Sequence, residues 1–165
     1  MSVEGQGSDF SGAIGEAAGS RLQCAALCFR VHHGQAQVLL VTSRDTGRWL
    51  LPKGWPIAGL DHPQSAAREA WEEAGVKGET QSQCLGQFSY LKLMSGGTGQ
   101  PCIVMVYPLR VDTIAARFRE RAQRRRKWFA LEKAALLVQE PGAQQLIAAF
   151  ARNPLAQPGT GAGKA

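Results

Sequence analysis

Three glutamates, Glu69, Glu72 and Glu73, stand at i, i+3 and i+4 in a stretch whose other residues favour helix. That spacing projects the three carboxylates from one helix face, where like charges repel by about 0.2–0.5 kcal/mol per pair even in water. Arg68, four residues before Glu72, relieves part of the repulsion. A hard divalent cation relieves more, because Mg²⁺ prefers oxygen ligands and a rigid helix holds carboxylates at fixed spacing. Taken alone, the triplet favours the plainer reading of a solvated acidic face. What surrounds it decides otherwise.

The helix that must carry these acids is well punctuated. Asp61 and Gln64 have the spacing of a capping box, Pro63 is tolerated in the first turn, and Gly75 is a natural stop. Ala66, Ala67, Ala70 and Ala74 support helix over 63–74. Segments 22–31 and 37–43 are strand-like, joined by a turn at His32–Gln35. Trp49–Leu51 is a short apolar strand ending at Pro52. Segments 84–94 and 102–111 are two further strands joined through the Gly-rich 95–101, and Trp128–Ala130 is a short third. A helical pattern recurs near 132–138 and at 141–152. Strands on both sides of a central helix, with a second helix at the end, predict a mixed α/β sandwich.

Gly54, Arg68, Glu69, Ala70, Glu72, Glu73, Gly75 and Val76 stand at the spacing of the Nudix box, G-x5-E-x7-R-E-U-x-E-E-x-G-U with U apolar. The chain thus resembles a Nudix hydrolase. One position departs, since the first glutamate of the box falls on Leu60, which leaves Arg68 short of a partner. RLQCAALCFRV, QVLLVTSR, GRWLLPKGW and RRRKWFALEKA resemble the diphosphoinositol polyphosphate phosphohydrolase branch over roughly 21–150. The resemblance implies the Nudix fold, a mixed β-sheet sandwiched between α-helices with the box forming loop–helix–loop. It implies Mg²⁺, with Mn²⁺ as an alternative, held by Glu69, Glu73 and the Gly54 carbonyl, with Glu72 as base and Arg68 as its catalytic companion. It implies substrate contacts at Arg21, Ser43, Arg44 and Arg48. Lys53, in a Pro-Lys-Gly step, is placed to touch phosphate. Trp55 is the best placed of Trp49, Trp55 and Trp128 to stack on a base. His32, His33 and His62 read as surface residues.

The 165 residues suit one domain, expected at 21–152 between disordered tails at 1–20 and 153–165. A hydrophobic content of 44% excludes a disordered chain, and no apolar run is long enough to cross a membrane. Cys24, Cys28, Cys84 and Cys102 form no CxxC pair and sit among apolar neighbours, so unpaired thiols and a cytoplasmic setting are expected. No secretory signal is visible at the N-terminus.

The net charge of +6 is concentrated in 117–127 (RFRERAQRRRK), which holds seven basic residues and one acid. Such a run suggests an anionic partner. Arg124, Arg125, Arg126 and Lys127 are the residues expected to border the site and contact phosphates. Together these features predict a pyrophosphohydrolase of highly phosphorylated small molecules: diphosphoinositol polyphosphates, diadenosine polyphosphates or related nucleoside diphosphate-X compounds. An RNA 5′-end pyrophosphohydrolase is the nearest enzymatic alternative, and a silent Nudix domain that binds nucleic acid is the non-enzymatic one. The oligomeric state is not legible.

Overall fold

The computed structural model describes residues 19–154, so nearly all of both expected tails lies outside the described residues. β1 (Arg21–His32) and β2 (Gln35–Thr42) form a hairpin whose two-residue turn has positive φ at His33 (51°) and Gly34 (78°). Paired positive φ values match the twist of the flanking strands. Along β1, Ala25, Leu27 and Phe29 face one core while Cys24, Ala26 and Cys28 face the other. β2 alternates likewise, Val38 and Leu40 against Leu39 and Val41. A strand buried on both faces reads as a continuous apolar run, and the sheet is therefore the middle layer.

The remaining elements are β3 (Trp49–Leu50), β4 (Lys53–Gly54), α1 (His62–Ala74), β5 (Val76–Thr80), β6 (Gly86–Leu93), β7 (Gly99–Ile114), β8 (Arg126–Ala130), α2 (Leu131–Leu137) and α3 (Pro141–Arg152). The sheet runs β3-β2-β1-β7-β5, with β4 on β1, β6 on β7 and β8 on β2. β1 and β7 are parallel from Arg21↔Cys102 to Phe29↔Arg110, and every other pairing is antiparallel. On one face α2 and α3 bury Leu131, Ile147 and Phe150 against the sheet. On the other, α1 presents Ala66, Ala70 and Ala74, small residues that let the helix lie close.

Two features position the site. β1 changes partner along its length, pairing with β4 at Cys24 and Ala25 and with β2 from Phe29 to His32. The box loop is thereby fixed beside the central strand. α1 then starts at a complete capping box, Gln64 N–H donating to Asp61 Oδ1 at 2.8 Å and Asp61 N–H to Gln64 Oε1 at 2.9 Å. It ends where Gly75 adopts φ 69°. A side chain at Gly75 would also crowd Phe118 and, at 2.8 Å, Arg126 Nη1.

The mixed α/β sandwich is as expected, with two strands added. β4 extends strand pairing past Pro52, and β5 (VKGET) lies along β7 with a register shift at Lys77/Gly78. The four cysteines are unpaired, and burial pushes Cys24 up to about 11. Among the described residues no helix is long and apolar enough to cross a membrane.

Candidate active site

β4 delivers Lys53 and Gly54 to the flank of α1. A Cβ at Gly54 would fall on the Glu69 carboxyl group, so glycine is needed for this close approach. One turn further on, Glu73 is only 5% exposed, and the Lys53 N–H donates to its Oε1 at 3.3 Å. The Glu69 and Glu73 carboxyl groups lie close enough that each perturbs the other's proton affinity. Burial is the main cause that pushes Glu73 up to about 8, outweighing the Arg124 guanidinium 3.7 Å away. Glu69 is also raised, first by burial and then by the charges of Glu72 and Glu120.

These two acids face a cleft of about 540 Å³. Ser43, Arg44, Arg48, Lys53, Gly54 and Trp55, all expected from sequence, line it. Arg21 stacks its guanidinium 4.0 Å over the Trp55 ring. Lys53 holds its ammonium 4.7 Å from the centre of the Tyr90 ring, and burial lowers its pKa while Glu73 partly opposes the shift. Arg48 donates to Gln139 at 2.8 Å and pairs with Glu140 at 3.5 Å; Arg44 donates to Gln123 at 3.2 Å. Gln23, Tyr90, Lys92 and Glu120 also line the cleft and were not singled out by sequence. Tyr90 donates to the buried Gln23 at 2.7 Å. Its signal was faint, an aromatic on an amphipathic strand.

Other expected residues lie elsewhere. The three glutamates divide, with Glu69 and Glu73 entering the cleft while Glu72 faces Arg68 at 4.0 Å and Arg119 at 3.6 Å. Arg68 lies with Leu60 in a separate hollow. The basic run is not a single phosphate-binding face. Arg126 donates to the carbonyls of Ala74 and Ala115, both at 2.7 Å, and so holds the C-terminus of α1. Arg125 lies over Trp49 and Lys127 over Phe129. Only Arg124 and Glu120, of the whole run, line the cleft: Arg124 donates to Glu120 at 2.7 Å and to the Thr42 carbonyl at 2.9 Å. Trp128 is covered by Arg30 and packs against the core.

Among the described residues no group of three or more His, Cys, Asp or Glu side chains is gathered to hold a metal. The donor set nevertheless fits Mg²⁺, which is usually bound through one or two carboxylates with water and substrate phosphate completing the shell. Buried Glu73 and half-buried Glu69 are two oxygen donors whose proton affinity is raised by burial, with Arg124 offsetting only part of the shift. A divalent cation would compete with protons for these oxygens.

The NUDIX domain profile matches residues 21–150. Bovine (Bos taurus) diphosphoinositol polyphosphate phosphohydrolase 3-beta is 32% identical over 123 residues, 73% of this chain and 71% of that protein. The human (Homo sapiens) 3-alpha protein is 31% identical over the same shares. Among solved structures, a C. elegans Ap4A hydrolase superposes with a TM-score of 0.59 at 20% identity, covering 81% of this chain and 97% of its own. The NUDIX domain of Shewanella oneidensis NrtR, complexed with ADP ribose, gives 0.62 at 20% identity over 93% and 100%. These two likenesses speak to the fold alone.

Proposed function

The chain belongs to the Nudix hydrolase family, and from that membership we propose a Mg²⁺-dependent pyrophosphohydrolase that cleaves a phosphoanhydride bond in highly phosphorylated small molecules. Diphosphoinositol polyphosphates and diadenosine polyphosphates are the substrate classes, by analogy with the relatives named above. The observation that carries this reading is the pairing of a two-carboxylate floor, half-buried Glu69 and buried Glu73, with a cationic lining of Arg44, Arg48 and Lys53. A densely anionic chain can lie on those cations while its anhydride bridge meets the carboxylate pair. The four unpaired thiols suit a reducing, cytoplasmic setting.

Glu69 and Glu73 would hold Mg²⁺, with the Gly54 carbonyl as a further donor. The chemistry Mg²⁺ supplies when bound is neutralisation of phosphate oxygens and acidification of water. Arg44, Arg48 and Lys53 bind and orient the phosphates through charge-assisted hydrogen bonds. Lys53, already partly desolvated, interacts with an incoming phosphate in low dielectric, where such contacts are strongest. Trp55, steadied by Arg21, offers a flat apolar wall. Glu72 is assigned as the base that takes the proton of the attacking water. Its carboxylate faces Arg68 and Arg119 outside the cleft but makes no hydrogen bond to either, so the role requires it to turn toward the cleft.

Phosphate release measured across inositol pyrophosphates, diadenosine polyphosphates and 5′-triphosphorylated RNA, with Mg²⁺ and with Mn²⁺, tests the reading. Turnover of the small polyphosphates in Mg²⁺ is expected. Release from RNA alone would replace the substrate assignment with 5′-end processing. No release from any of them would reduce the domain to a binding module.

A further inference from the structure

A second cavity, of about 600 Å³, lies beside α1 and shares no lining residue with the catalytic cleft. Its apolar lining comes from Leu60, Ala67 and Trp71, and its charged lining sets three cations, Arg68, Lys77 and Arg119, against the single carboxylate of Glu72. Lys77 holds its ammonium 4.4 Å from the centre of the Trp71 ring. The two arginines are poorly used by the protein itself. Arg119 is 74% exposed and Arg68 52% exposed, and their contacts to Glu72, at 3.6 and 4.0 Å, fall short of hydrogen bonds. Arg124 and Arg126, by contrast, spend their guanidinium groups on partners at 2.7 Å.

Leu60 sharpens the contrast. The Nudix box pattern has a glutamate at this position, which would set a second carboxylate among the three cations. Leucine there leaves the positive excess standing and adds an apolar wall. Guanidinium forks with unfilled donors, a nearby ammonium and room for a small molecule make a receptor for a multiply charged oxyanion.

We propose that this cavity is a second anion site that takes a phosphate group, either free inorganic phosphate or the terminal phosphate of a nucleotide whose base rests against Leu60 and Trp71. The bound anion competes with Glu72 for Arg68 and Arg119. Occupancy is therefore linked to the ion pairing of Glu72, and the linkage acts in both directions.

The test is a titration of the ¹⁵N-labelled full chain with inorganic phosphate and, separately, with AMP, neither of which has an anhydride bond to be consumed. Saturable shifts of the Trp71 indole N–H and the Lys77 amide are expected. Lys77→Gln with Arg119→Gln should weaken that binding about tenfold or more, since two charge-assisted donors are lost. The same double variant should leave the melting temperature and the remaining amide spectrum unchanged, because both replaced side chains are exposed. Leu60→Glu should weaken binding at the same signals by restoring the acid. Tighter binding of AMP than of phosphate, with added shifts at Leu60, assigns a nucleotide; equal binding assigns the free anion. Shifts confined to Lys53, Trp55 and their neighbours, or shifts that survive the double variant, overturn the proposal. So does an equal response to an oligonucleotide lacking terminal phosphates, which would make nucleic acid the occupant.

Discussion

Glu73 concentrates the conflict on which this site depends. Burial disfavours its charge, and metal binding requires that charge. The sign of the resulting pH dependence is fixed. An unfolded glutamate releases its proton near 4.5, whereas folded Glu73 holds it to about 8. Between those values the folded state binds more protons than the unfolded state, so this group's contribution to stability falls as pH rises through that window. Without divalent metal, the melting temperature should decline from about pH 5 to about pH 8, and Glu73→Gln should flatten that decline. Added Mg²⁺ should raise the melting temperature more near pH 8 than near pH 6, because protons compete for the same oxygens. A Mg²⁺ effect independent of pH would remove Glu73 from the ligand set. In turnover, Glu73→Gln should cost at least about a hundredfold. Glu72→Gln should depress kcat more than it raises KM, as expected for a group that acts in the transition state. An unchanged kcat would shift the base role to Glu120, a carboxylate that lines the cleft and whose charge helps raise Glu69 and Glu73.

α1 shows what a sequence reveals locally and what it does not. Its start, its stop and its alanine face were legible because capping and propensity act within a few residues. The direction of Glu72 was not, since i, i+3, i+4 spacing fixes a face only to within a wide arc and tertiary partners choose within it. β5 was missed for a related reason. VKGET has neither alternation nor an apolar run, and it is a strand only because β7 offers it an edge, with Gly78 where the register shifts. The clearest failure concerns Arg126. Read as a phosphate ligand, it instead binds the carbonyl of Ala74, 52 residues away, and so satisfies an otherwise orphaned helix end. Arg126→Gln should therefore lower stability by about 1.5–3 kcal/mol, the worth of a charge-assisted bond to a buried carbonyl. It should leave KM unchanged, and denaturant unfolding beside Michaelis kinetics distinguishes the two roles. Gly75→Ala should be at least as costly, since its positive φ alone disfavours a side chain by about 1–2 kcal/mol and Phe118 adds a clash.

At the scale of the whole molecule, the structure changes where substrate length should be read. The net charge resides in one segment of sequence, yet the fold distributes that segment among a helix cap, an aromatic cover, a half-buried ion pair and a second cavity. Replacing its arginines together would confound stability with binding. The cations free to meet distal phosphates are those that line the cleft, above all Arg44 and Lys92. Arg44 has only an exposed amide, Gln123, as a hydrogen-bond partner, so its loss should not unfold the protein. Each phosphate contact is charge-assisted and worth about 1.5–3 kcal/mol. Such contacts matter only for substrates that carry phosphates beyond the scissile bridge. Arg44→Gln with Lys92→Gln should therefore raise KM about tenfold or more for an inositol pyrophosphate or a diadenosine hexaphosphate, while a short dinucleoside diphosphate is nearly unaffected. Added salt should reproduce the pattern in the unmodified protein, because exposed charges are screened over about 8 Å at physiological ionic strength. Equal losses on long and short substrates would place both residues at the scissile bridge itself, and a salt response without a mutational one would assign the discrimination to the field of the molecule rather than to these two side chains.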